Sequence, residues 1–165
     1  MHNKVVYRAA KAAIEAGMPA LRFNFRGVGA SEGEFANGAG EHEDARSALD
    51  WLAGRFKGAP IYMMGFSFGA WVGLGIGSAD PRVTSLAGLG LPTVDFDFSF
   101  LRGVQKPKLI LQGSEDQFGE RRSVQAVFDS LAAPKKMHWV EGADHFFTGR
   151  LDEVQKALAQ FLAEL

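Results

Sequence analysis

The chain has 165 residues, and its 18 Lys or Arg stand against 19 Asp or Glu, a net charge of −1 that excludes a surface built to neutralise nucleic-acid phosphates or anionic lipid. A composition that is 47% hydrophobic and 22% charged argues against disorder and, at this length, for one domain with its own core. There is no Cys, which removes disulfides, thiolate metal sites and cysteine nucleophiles together.

Val5 to Ala16 is Ala-rich and stopped by Gly17 and Pro19, the pattern of a helix. Lys4, Arg8, Lys11 and Glu15, spread through Met1 to Gly17, break the apolar run a signal peptide needs, and no stretch is long enough for a membrane span, so a cytoplasmic protein is expected. Ala20 to Phe25 alternates Leu21, Phe23 and Phe25 against Arg22 and Asn24, which predicts a strand. The glycine-rich stretch from Arg26 to Gly40 reads as a loop. Glu41 to Phe56 reads as a helix with acids in its first turn and Ala48, Leu49, Trp51 and Leu52 turned inward.

Further strands are predicted at Ile61 to Gly65, Val83 to Leu91, Lys108 to Gln112 and Lys136 to Val140. Helices are predicted at Phe68 to Ser78, Arg121 to Ala132 and Leu151 to Leu165. Five strands separated by helices imply parallel pairing, hence an α/β fold of one domain. In such sheets ligands bind beyond the carboxyl ends of the strands.

One motif sits at such an end. Gly65-Phe66-Ser67-Phe68-Gly69 follows an apolar strand and opens a helix, and its Gly-x-Ser-x-Gly spacing permits a turn tight enough to strain Ser67 and expose its hydroxyl. The helix carries Gly73, Gly75 and Gly77, which implies close packing on the sheet. The alternative is an ordinary glycine-rich strand-to-helix turn.

A serine nucleophile needs a base, and the base needs an orienting acid. His145, in the loop after the last strand, is the best base among His2, His42, His138 and His145. His138 lies inside a strand, His42 in the first turn of a helix, and His2 at the terminus. Glu115 and Asp116 both follow the Leu109-Ile110-Leu111-Gln112 strand; Asp116 is favoured because Gly113 opens a turn that can send the later residue back over the sheet, and either could be a solvated turn residue. The chain order Ser67, Asp116, His145 is that of the α/β-hydrolase triad.

The sequence resembles bacterial α/β-hydrolases related to dienelactone hydrolases. The resemblance rests on Met1 to Val6, the Leu21-Arg22-Phe23-Asn24-Phe25-Arg26-Gly27-Val28-Gly29-Ala30-Ser31-Glu32-Gly33 run, the turn around Ser67, Gly113 to Asp116 and Gly142 to His145. It implies a three-layer fold with a mostly parallel sheet, a Ser67, Asp116 and His145 triad, and the Phe68 N–H as one oxyanion donor. Members of that group begin with further strands and a His-Pro-rich loop that supplies the second donor. The resemblance therefore implies a single α/β-hydrolase-like domain over 1–165 that lacks the N-terminal strands, with an exposed sheet edge open to a homo-oligomer.

Other signals fail. Glu32 stands where the third glycine of a dinucleotide fingerprint would be, no phosphate loop occurs, and Arg46 replaces the second His of a zinc-protease motif. Phe96, Phe98 and Phe100 alternate between two strands and read as core or strand-edge packing, with an acyl pocket as the alternative. The expected function is a serine hydrolase cleaving a carboxylic ester or related acyl bond of a small molecule without a cofactor. The alternative is a non-catalytic or incomplete domain acting through self-association or a partner chain.

Overall fold

Four strands, β1 (Ile61–Phe66), β2 (Val83–Leu89), β3 (Lys108–Gly113) and β4 (Lys135–Val140), form one sheet in the order β1-β2-β3-β4, every neighbouring pair parallel. They come from a computed structural model that describes residues 2–165; Met1, the first residue of the stretch matched to the hydrolase group, lies outside the described residues. The helices are α1 (Lys4–Glu15), α2 (Ala39–Arg55), α3 (Phe68–Ala79), α4 (Arg121–Ser130) and α5 (Leu151–Ala163), with a short 3-10 turn at Ser99–Leu101. None is long and apolar enough to cross a membrane.

Alternation along the strands builds three layers. On β3, Ile110 faces the core shared with α2, α3 and α4, while Leu109 and Leu111 face the core shared with α1 and α5. Leu158 of α5 and Leu74 of α3 are essentially inaccessible on opposite faces. Each such side chain contributes roughly 1.5–3 kcal/mol by leaving water. The Asn3 side chain caps α1 by accepting from Val6 N at 3.1 Å, and Arg8 ties α1 to α5 through Asp152 and Gln155.

The expected strand at Ala20 to Phe25 is corrected: these residues pair with no strand, so the described sheet has four strands where five were expected. The alternation is present, but a strand also requires a ladder partner at about 5 Å. Between this segment and β1 run two clefts of about 450 and 430 Å³, bounded by Leu21 and Arg22 on one wall and by Ile61, Tyr62 and Met64 on the other. Among the described residues β1 is therefore paired on one side only. Leu21 and Phe23 are 40% and 42% exposed as a result.

A second correction concerns α2. Ala45 and Leu49 are buried, whereas Trp51, expected inward, is 60% exposed. Residues two apart on a helix point roughly 200° away from each other, so the face carrying Leu49 turns Trp51 outward.

Candidate active site

The chain passes from β1 to α3 through Ser67, whose φ of 55° and ψ of −127° lie outside the regions L-residues favour. Gly65 makes this turn possible: a Cβ there would overlap the carbonyl of Gly69 and Cα of Ala70, so any side chain would force strand and helix apart. Ser67 N donates to Leu89 O at 3.0 Å, and Ser67 O accepts from Ala70 N at 2.8 Å. Phe68 is the first residue of α3, where no preceding helical turn offers its N–H a carbonyl.

Ser67 Oγ lies 2.8 Å from His145 Nε2, and His145 Nδ1 lies 2.8 Å from Asp116 Oδ2. His145 and Asp116 are each 3% exposed. A carboxylate only accepts, so Asp116 assigns the imidazole proton to Nδ1 and leaves Nε2 to accept from the Ser67 hydroxyl. Asp116 is itself held on both oxygens. Its Oδ1 accepts from Phe118 N at 2.8 Å and Gly119 N at 3.2 Å, and its Oδ2 from Gln112 Nε2 at 2.8 Å.

The loop presenting His145 is fastened by its neighbour. Asp144 accepts from the Thr148 N–H at 2.9 Å, the Thr148 hydroxyl at 2.8 Å and the Phe146 N–H at 3.1 Å. These bonds, the Thr148 N–H foremost, hold its carboxyl below the usual Asp range. Phe147, with φ of 53°, is fully buried under the loop.

Two sets of aromatic rings gather at the site, one on Phe68 and one on His145. Phe25, Phe35 and Phe96 stand 5.6, 5.6 and 5.7 Å from the Phe68 ring, and Trp71 lies 4.9 Å from Phe96. Phe66, Phe118 and Phe146 surround the imidazole of His145 at 4.9, 4.7 and 5.2 Å. Of the three alternating phenylalanines, Phe98 is buried in the core, Phe96 joins the Phe68 group, and Phe100 is 37% exposed.

The glycine-rich loop that carries Phe35 is anchored to α2. Arg26 donates to Asp44 at 2.8 Å, a bond that holds the Asp44 carboxyl below its ordinary value. Glu41, fully buried, accepts from Ala36 N at 2.9 Å and Gly38 N at 2.8 Å.

Ser67, Phe68, Asp116 and His145 thus meet at the carboxyl ends of the strands. Glu115 is exposed on its turn and His2 at the terminus. His42 packs edge-on against Trp71 at 4.9 Å with Nδ1 2.6 Å from Gly38 O, and His138 lies 3.4 Å from Glu153 of α5. Sequence patterning does not single out Gln112 or Asp144. A polar residue inside the apolar run of β3 is the signal for Gln112, because burial obliges an amide to find partners. Among the described residues no group of three or more His, Asp or Glu is arranged to hold a metal ion.

The family model for the alpha/beta hydrolase domain matches residues 1–163. The chain belongs to that family. The uncharacterized protein RP471 of Rickettsia prowazekii (strain Madrid E) is 39% identical over 171 residues, spanning 98% of this chain and 72% of that protein. Among solved structures, an alpha-beta serine hydrolase homologue from Coxiella burnetii superimposes with a TM-score of 0.91 at 38% identity, covering 97% of this chain and 76% of that one. XC6422 from Xanthomonas campestris, described as an a/b serine hydrolase without lid, gives a TM-score of 0.90 at 34% identity over 99% of this chain and 74% of its own. Hydrolase relatives of this kind support an enzyme that performs hydrolysis.

Proposed function

We propose that this protein is a serine hydrolase that cleaves a carboxylic ester or related acyl bond of a small molecule through an acyl-Ser67 intermediate. The observation that carries the reading is the hydrogen-bonded series from Ser67 Oγ to His145 to Asp116, both links 2.8 Å. Ser67 Oγ attacks the ester carbonyl carbon as its proton passes to His145 Nε2. The carbonyl oxygen becomes an oxyanion, to which the Phe68 N–H at the head of α3 donates. Asp116 stabilises the imidazolium through Nδ1–H. The carbon–oxygen bond to the alcohol then breaks, and the alcohol oxygen takes the proton from Nε2. Water attacks the acyl-serine by the same route, giving its proton to His145, and Ser67 recovers it as the acid departs. This sequence uses Ser67, His145, Asp116, the Phe68 N–H, the substrate and water. Its test is ester hydrolysis by the Ser67→Ala variant, which is expected to fall to the uncatalysed background with the fold intact by circular dichroism.

A second reading is favoured by the clefts beside β1. An edge strand with an apolar wall and open backbone groups is a template for pairing. On this reading the chain acts by self-association, β1 of one copy pairing beside β1 of another.

A further inference from the structure

Phe118 and Phe146 are 38% and 54% exposed although both pack on the buried His145. Their rings meet the imidazole edge-on, at 62° and 82°, with centroids 4.7 and 5.2 Å away. Phe66 closes another side of the same imidazole and is itself only 8% exposed. Two large rings thus keep apolar surface in water beside one particular group. On the reading that His145 is the base, that group has a fixed duty: its Nε2 hands a proton to the departing alcohol oxygen. The oxygen must then lie within about 3 Å of Nε2. The carbon attached to it starts beside the imidazole that the two rings contact. Phe25, Phe35 and Phe96 gather instead on the Phe68 ring.

We infer that Phe118 and Phe146 form the leaving-group subsite of the Ser67 centre, and that the substrates it takes are esters of apolar, planar alcohols, of the arylmethyl class. The inference rests on Ser67 and His145 acting as nucleophile and base. Flat rings stack on or against these two phenylalanines, and removal of their shared surface from water supplies the selectivity.

Methyl acetate and benzyl acetate test this, since they share one acyl group and their alcohols are of similar acidity. The parent is expected to favour benzyl acetate in kcat/KM by roughly tenfold or more. Phe146→Ala and Phe118→Ala should each lower that ratio by about fivefold, Phe146→Tyr should restore it, and Phe35→Ala should leave it standing. A readout that needs no turnover runs beside it: benzyl alcohol should slow fluorophosphonate labelling of the parent and fail to slow that of Phe146→Ala. A flat ratio in the parent, a loss of both esters together in the Ala variants, or a ratio abolished by Phe35→Ala alone would overturn the subsite. Parent-level hydrolysis by Ser67→Ala would overturn the reading beneath it instead.

Discussion

Gln112 Nε2 donates to Asp116 Oδ2 at 2.8 Å, the same oxygen that faces His145 Nδ1. The amide also donates to Gly119 O at 3.2 Å and accepts from Leu91 N at 2.7 Å, so one fully buried side chain joins β3, the Asp116 turn and the segment after β2. Replacement by Leu leaves a buried N–H and a buried carbonyl unpaired, at roughly 1–3 kcal/mol each. Gln112→Leu is therefore expected to lower the urea midpoint and to reduce kcat more than it changes KM. Unchanged stability would show that water or a shifted backbone replaces the amide.

His42→Gln and His138→Gln are expected to keep near-parent turnover of a simple ester. His42 is occupied with Trp71 and Gly38, and His138 faces α5 on the opposite side of the sheet. Loss of turnover in either variant, with the melting temperature unchanged, would move the base away from His145.

Much of this site is legible in the sequence because each part follows a short apolar strand. Gly65 to Gly69 announces a tight turn, and the residues after β3 and β4 emerge at the same sheet end by parallel topology. Ala20 to Phe25 carries a strand pattern without a strand because alternation is a local property and ladder pairing is not; nothing in those residues records what lies beside them. Trp51 lies outward for a related reason, since a helix with Ala and Leu on neighbouring positions does not declare which stripe is inward. The strand pattern includes Gln112 as its last residue but assigns it no partner, because the groups it joins, Leu91, Asp116 and Gly119, come together only in the fold.

Acid should destabilise the fold. Burial pushes the Glu41 carboxyl up, but the N–H bonds it accepts, Ala36 foremost, outweigh that and leave it below its ordinary 4.5. Arg26 holds Asp44 below 3.8, and Arg82 holds Asp80 down to about 2. The unfolded chain therefore binds protons first, and the stability these groups supply is complete above about pH 5 and lost as pH falls through 4 toward 2. The melting temperature is expected to fall across that range, with a shallower fall in the Glu41→Gln, Asp44→Asn double variant. Identical slopes in the two proteins would contradict this.

Pairing through the open edge of β1 predicts association that increases with concentration in sedimentation velocity. Leu21→Glu and Phe23→Glu place like charges at the rim of the clefts and are expected to favour the monomer. A parent that stays monomeric at every concentration would remove the second reading.

The central claim is that Ser67 is the nucleophile. Labelling with a fluorophosphonate, followed by mass mapping of the modified peptide, tests it most directly because the adduct forms only on an activated hydroxyl. One adduct on Ser67 in the parent and none in Ser67→Ala is the predicted result; equal labelling of the two proteins, or an adduct mapped to another residue, would contradict it.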